Sequence, residues 1–205
     1  SSDAGDYSRL GAAIGNNNHL TKLWMNLGAN QALDIANTEF FDGLKRNSSI
    51  SDLTLFCSYH NLIGGIGHEI LKSYQKINNN LTRLCINSAV LDNGGGNAIT
   101  ETLRWCTKLK VINLAHNDIT DEQLLPIVEG IRRHRSLEKL DLWNNSIGAA
   151  GCQTLATLLK NSNCNIRSLG LGGNRVDMNG AIAIVNSLSK NSRLRYLDLN
   201  VNPVD

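Results

Sequence analysis

Cysteine and histidine are the residues through which this chain would do nucleophilic or metal chemistry. It has five of each: Cys57, Cys85, Cys106, Cys152 and Cys164, and His19, His60, His68, His116 and His134. Zinc sites need cysteine or histidine pairs a few residues apart, and no CxxC, CxxH or HExxH occurs. The histidines are spread along the chain, so a Cys/His nucleophile lacks the adjacent base it requires. The glycine runs GGIG (64–67) and NGGG (93–96) have no lysine-serine continuation to cradle a phosphate, and they read as turns. The segment IRRHR (131–135) reads as a basic, solvated helix end that complements the helix dipole. No catalytic, metal or cofactor site is expected.

Bulk properties exclude further classes. The 205 residues are 41% hydrophobic with a net charge of +2, enough for one folded unit and too little charge for nucleic acid or an anionic membrane. No apolar run is long enough to span a bilayer. The odd cysteine count favours free thiols in a reducing, cytoplasmic compartment. One bridge between Cys57 and Cys85, which fall on adjacent repeats, stays open. Three N-x-S/T sequons occur, at Asn47, Asn80 and Asn144, and carry little weight in so asparagine-rich a chain.

A different kind of chemistry, recognition, emerges from a repeated pattern. LKVINLAHNDIT begins at Leu109, LEKLDLWNNSIG at Leu137, IRSLGLGGNRVD at Ile166 and LRYLDLNVNPVD at Leu194. All fit L-x-x-L-x-L-x-x-N-x-I, with Ile or Val allowed at apolar slots. Weaker copies start at Leu20, Ile50 and Leu81. Successive starts are 30, 31, 28, 28, 29 and 28 residues apart, a period that marks a solenoid.

Between the signatures lie apolar residues at helical spacing, such as Leu155, Leu158 and Leu159, or Ile182, Val185 and Leu188. Each unit is therefore a strand, a loop, a helix and a return. One unit cannot bury its leucine face alone, so units stack. Strands stack at about 4.8 Å and helices need about 10 Å, so the array bends with strands inside. The expected fold is an α/β solenoid of about seven repeats, a horseshoe with a concave parallel β-sheet and convex helices. Residues 1–205 form a single array, with 1–108 less regular and 109–205 regular. The asparagines at Asn117, Asn145, Asn174 and Asn202 stand where the chain leaves each strand and suit the turn backbone. Gly28, Ser58 and Ala89 replace them upstream, where loops such as HNLIGGIGHEI (60–70) are longer.

The 28–29-residue unit and its LxxLxLxxN-x-I signature resemble leucine-rich repeats of the ribonuclease-inhibitor-like class. That class includes ribonuclease inhibitor, the sensor ends of nucleotide-binding immune receptors, and Ran GTPase-activating protein. The resemblance implies a horseshoe that binds proteins. It does not choose among members, since fold does not fix function. Gly5 stands fifteen residues before Leu20, as Gly151 does before Ile166, and no polar cap is recognisable, so the chain is expected to be a segment of a longer protein.

Strand alternation assigns the concave side chains. One column reads Lys22, Asp52, Arg83, Val111, Lys139, Ser168 and Tyr196. A second reads Trp24, Thr54, Cys85, Asn113, Asp141, Gly170 and Asp198. A third reads Asn26, Phe56, Asn87, Ala115, Trp143, Gly172 and Asn200, and the strand ends read Leu27, Cys57, Ser88, His116, Asn144, Gly173 and Val201. Aromatics beside charges are typical interface anchors. The candidate partner-binding residues are Trp143, Asp141, Lys139, Tyr196, Asp198, Asn200, Trp24, Phe56 and Arg83. Trp143, next to core Leu142, is expected to be exposed, and Gly170, Gly172 and Gly173 to leave a bare floor for a long partner side chain. The expected function is a non-catalytic protein-interaction scaffold or sensor. The alternative is a GTPase-activating protein of the Ran regulator type, or part of an enzyme regulator.

Overall fold

The computed structural model describes residues 4–27, 33–56, 71, 80–89, 91 and 94–204. Seven parallel strands form one sheet in chain order: β1 (Lys22–Asn26), β2 (Asp52–Phe56), β3 (Arg83–Asn87), β4 (Val111–Asn113), β5 (Lys139–Asp141), β6 (Ser168–Gly170) and β7 (Tyr196–Asp198). Six helices are described: α1 (Ala4–Asn16), α2 (Leu33–Arg46), α3 (Gly95–Trp105), α4 (Asp121–Arg133), α5 (Ala149–Leu159) and α6 (Met178–Leu188). The chain is an α/β solenoid with strands on the concave side and helices on the convex side.

The core runs the length of the array between these layers. The repeat leucines provide it: Leu137, Leu140 and Leu142 are buried, as are Ile166, Leu169 and Leu171. Leu155, Leu158 and Leu159 of α5 cover them from the helical side. Burying a side chain of this size stabilises by about 1.5–3 kcal/mol, and stacking repeats buries a column of them.

α6 departs from the expected stripe. Ile184, Gly180 and Ser187 point inward, while Ile182 and Val185 are exposed. Val185 is equivalent to Val128 of α4 and Ala156 of α5, both buried. Those two sit under the next helix, and no described helix follows α6.

Close helix contacts depend on missing Cβ atoms. A Cβ on Gly43 would collide with the Gly11 backbone, so α1 and α2 cross there at backbone distance. A Cβ on Gly96 would lie 2.6 Å from the Gln123 carbonyl of α4. Gly94 stays in the turn before α3, Gly95 packs against Leu91, and Gly96 lets α4 approach. GGIG and the rest of segment 60–70 lie outside the described residues, as does Cys57.

The Asn slot forms a ladder between repeats. Asn145 Nδ2 donates to the carbonyls of Leu114 and Leu142 at 3.0 and 2.9 Å, and its Oδ1 accepts from Asn117 N and Ile119 N at 3.1 and 2.9 Å. Asn117, Asn174 and Asn202 repeat the pattern. Each amide thus ties its own turn to the neighbouring repeat, satisfying backbone groups that the core hides from water.

A second polar series marks the return from helix to strand. Asn47 and Asn191 accept from backbone N–H groups at the next strand's entry, Asn47 at Ser49 and Ile50 and Asn191 at Arg193 and Leu194. His134 occupies the same slot. Its Nδ1 accepts from Ser136 N and Leu137 N at 3.3 and 3.2 Å, and its Nε2–H donates to the Cys106 carbonyl at 3.0 Å. His134 is buried, unlike the solvated end read from IRRHR. Burial pushes its imidazole below the ordinary histidine range, partly offset by the Cys106 hydrogen bond.

Candidate functional site

Strand register aligns the concave side chains in rows. Asp52 pairs with Arg83, Arg83 with Val111, Val111 with Lys139, Lys139 with Ser168 and Ser168 with Tyr196. Cys85, Asn113, Asp141, Gly170 and Asp198 form the next row. Between them Leu84, Ile112, Leu140 and Leu169 point into the core. Period-two alternation therefore separates a buried frame from an outward-facing surface, although Cys85 of β3 is buried while standing in the outward row.

Strand exits add a conformational constraint. Ser88, His116, Asn144 and Val201 have φ between 52° and 60°, and Gly173 has φ 67°. Each precedes the Asn slot or its equivalent, where the backbone swings over the ladder. A non-glycine residue there is unusual and costs energy that the surrounding hydrogen bonds offset. This column does not uniformly face the concave side, since Leu27 at its start is fully buried.

The nine candidate residues separate into two groups. The first lies on β1–β3. Trp24 is 70% exposed and meets Phe56 edge-on, with ring centroids 5.4 Å apart. Arg83 Nε is 3.8 Å from Asp52 Oδ1 on the adjacent strand. Beside Phe56, the Asn87 Oδ1 atom is buried without a hydrogen-bond partner among the described residues.

The second group lies on β5–β7 and encloses a cleft of about 330 Å³ lined by Lys139, Asp141, Trp143, Ser168, Gly170, Tyr196 and Asp198. Lys139 Nζ approaches Asp141 Oδ2 at 3.9 Å. Asp141 Oδ1 accepts from Trp143 N at 3.2 Å, and Asn113 Nδ2 reaches its other oxygen at 3.4 Å. Asp198 Oδ1 accepts from Asn200 N at 2.9 Å. Asn200 stands beyond the cleft, where its carbonyl accepts from Gly173 N. Tyr196 is 57% exposed.

Trp143 is half-buried rather than fully exposed. Its indole lies over Gly172, where an added Cβ would come within 2.6 Å of Cδ1 and Nε1. The His116 ring packs against its other neighbour-strand side at 4.8 Å, tilted by 57°. Asn144 Nδ2 donates to His116 Nδ1 at 2.8 Å and holds that ring. The glycine floor is likewise not bare, because the Asp141 carboxylate leans over Gly170. Without Cβ atoms on β6, the side chains of β5 fold across it.

Sequence reasoning did not pick out His116 or Asn113 as supports of Trp143 and Asp141. The signal was available, since both stand one repeat upstream of the residues they touch.

The described cysteines Cys85, Cys106, Cys152 and Cys164 are free and buried. Burial pushes the Cys106 thiol up to about 11 and the Cys152 thiol up to about 12, the latter with help from Asp121 and Asp177. These thiols stay protonated and are poor nucleophiles. Among the described residues no group of three His, Cys, Asp or Glu side chains could hold a metal ion, and no helix is long and apolar enough to cross a membrane. A convex groove of about 490 Å³ is lined by Arg104, Arg133 and Arg135 with Glu101 and His134. It lies at the C-terminal ends of α3 and α4, where arginines complement the helix dipoles.

The Leucine Rich repeat family model matches residues 106–127, 133–156 and 162–185. The chain is 32% identical to human NACHT, LRR and PYD domains-containing protein 2 over 62% of its own length and 12% of that protein's. It is 26% identical to mouse NACHT, LRR and PYD domains-containing protein 5 over 94% of its length and 16% of that protein's. Pig ribonuclease inhibitor is 24% identical, over 78% of this chain and 41% of the inhibitor. The chain thus spans less than half the length of these relatives.

Proposed function

We propose that this leucine-rich repeat chain, of the ribonuclease-inhibitor-like kind, is a non-catalytic protein-interaction scaffold or sensor that binds a protein partner on its concave face. One observation carries the reading. The concave rows hold aromatic and charged side chains of differing type over an apolar frame that hardly varies, and Trp24 and Tyr196 stay largely exposed there. Aromatic anchors beside charges are what protein interfaces use, and exposing them without a partner is unfavourable.

Binding, rather than chemistry, suits the remaining features. The described thiols are buried, with burial pushing those of Cys106, Cys152 and Cys164 up, and His134 and His116 serve as a turn acceptor and a ring support. Net charge near neutral gives no field to attract nucleic acid. The four free described thiols accord with a reducing, cytoplasmic location.

The test uses a photo-crosslinking amino acid placed at Tyr196 or Trp24 on the concave face and at Ile182 or Leu125 on the convex helices. In the proposed reading, the concave positions yield a reproducible crosslinked protein, identified by mass spectrometry. With the crosslinker at Trp24, Trp143→Ala together with Tyr196→Ala removes that product while the melting temperature changes little. Crosslinks from the convex positions alone would refute the concave reading.

A further inference from the structure

We infer that the cleft on β5–β7 is a seat for a partner's arginine side chain, held between Asp141 and Asp198 over Gly170. The inference rests on the concave binding reading and names the chemistry of its partner.

Register places nine positions on a small grid. Lys139, Ser168 and Tyr196 form one row, and Asp141, Gly170 and Asp198 the next. Beyond Gly170, the third row runs through Trp143 and Gly172 to Asn200. The two aspartates therefore face each other across one glycine strand, with Cα atoms two strand spacings apart, about 9.6 Å. Asp141 leans toward Gly170 from one side and Asp198 flanks it on the other, and the cleft of about 330 Å³ that they line has room for one planar cationic head.

Charge at the centre is unbalanced. Two carboxylates face a single ammonium, Lys139, which lies 3.9 Å from Asp141 at the cleft's edge. Asp198 has no cationic partner among the described residues. Its hydrogen bond to Asn200 N uses one oxygen and orients the carboxylate. Asp141 is oriented likewise by Trp143 N and Asn113. The seat is thus preorganised, so little ordering remains to be done on binding.

The walls suit an arginine. Trp143 and Tyr196 line the cleft from opposite corners, so aromatic surface borders the path of an alkyl stem or a guanidinium. Arginine carries five donors in a fixed plane and pairs with two acceptor groups at once, which an ammonium does as a point charge. Gly170 has no Cβ, and the Asp141 carboxylate leans into that space, presenting its Oδ1 over the floor of the cleft.

The experiment is an NMR titration of the isotope-labelled chain with the peptide acetyl-Gly-Gly-Arg-Gly-Gly-amide. A second peptide carries citrulline, the neutral isostere of arginine. The arginine peptide is expected to shift the Gly170 and Gly172 amides and the Trp143 indole N–H saturably. The citrulline peptide should bind at least tenfold more weakly. Asp198→Asn keeps the acceptor for Asn200 N and should weaken the arginine peptide at least fivefold, while Lys139→Gln should tighten it. Equal binding of the two peptides, shifts centred away from the cleft, or an unchanged Asp198→Asn affinity would each overturn the seat. Concave crosslinking with no arginine preference would sink this inference and leave the binding reading standing. Loss of concave crosslinking would remove both.

Discussion

Replacing Asn145 by Ala tests the ladder as the main cohesive element between repeats. In Asn145→Ala, Asn117 N and Ile119 N lose their acceptor and the Leu114 carbonyl loses its donor. The other carbonyls Asn145 serves keep partners: Leu142 through Asn174 Nδ2, and Trp143 through His116 N. Three buried backbone groups are left unpaired. Each costs about 1–3 kcal/mol, and a water admitted to the vacated volume relieves part, so a loss of about 3–5 kcal/mol is expected. Asn202 makes the same pattern of bonds at the edge of the described array, where it is only half-buried. Water replaces those bonds directly, so Asn202→Ala should cost about 1 kcal/mol. Urea unfolding followed by far-ultraviolet circular dichroism gives both values. Amide exchange adds a local readout, since Asn117 and Ile119 should lose protection in Asn145→Ala. Equal small losses in the two variants would show that the ladder is incidental and that leucine packing alone joins the repeats.

The His134 slot predicts a pH effect of definite sign. Its folded pKa lies below the unfolded value near 6.5, so the unfolded chain takes up the proton first. The stability is complete above about pH 6.5 and is lost as pH falls below it. His134→Asn, which imitates Asn47 and Asn191, should lose less stability between pH 7.5 and 5 than the parent, and parallel urea midpoints would contradict this. Gly172→Ala forces the Trp143 indole off β6, so its fluorescence emission should shift to the red with a stability loss of at most about 1–2 kcal/mol, an off-rotamer cost; an unchanged spectrum would mean that the ring does not rest there. Cys106, Cys152 and Cys164 should react with iodoacetamide only as fast as the fold opens, measured by mass mapping before and after denaturation. Leu140→Asp places a charge at a fully buried frame position and should abolish the cooperative unfolding transition seen by circular dichroism.

The repeat period, the alternation and the Asn slot are sequence properties because they are local and recur. A leucine at every second strand position has one way to be buried, so frame and surface separate before any coordinates exist. The register of Lys139, Ser168 and Tyr196 follows from the same arithmetic, as each repeat starts at an equivalent residue. What the period cannot carry is how neighbouring side chains lean. Trp143 was legible as outward-facing, yet its half-burial depends on Gly172 one strand away and on His116 one strand back. His134 looked like part of a basic tail because its neighbours are arginines. Only the stacked turn of the preceding repeat, with the Cys106 carbonyl at hydrogen-bond distance, turns it into a buried acceptor. The helix α6 shows the same division. Its apolar residues are readable, but which of them are covered depends on the helix stacked against them. Sequence by itself determined the frame, because burial there is forced by alternation. Tertiary structure decided the surface, because its packing depends on missing Cβ atoms and lateral neighbours some 28 residues away in the chain.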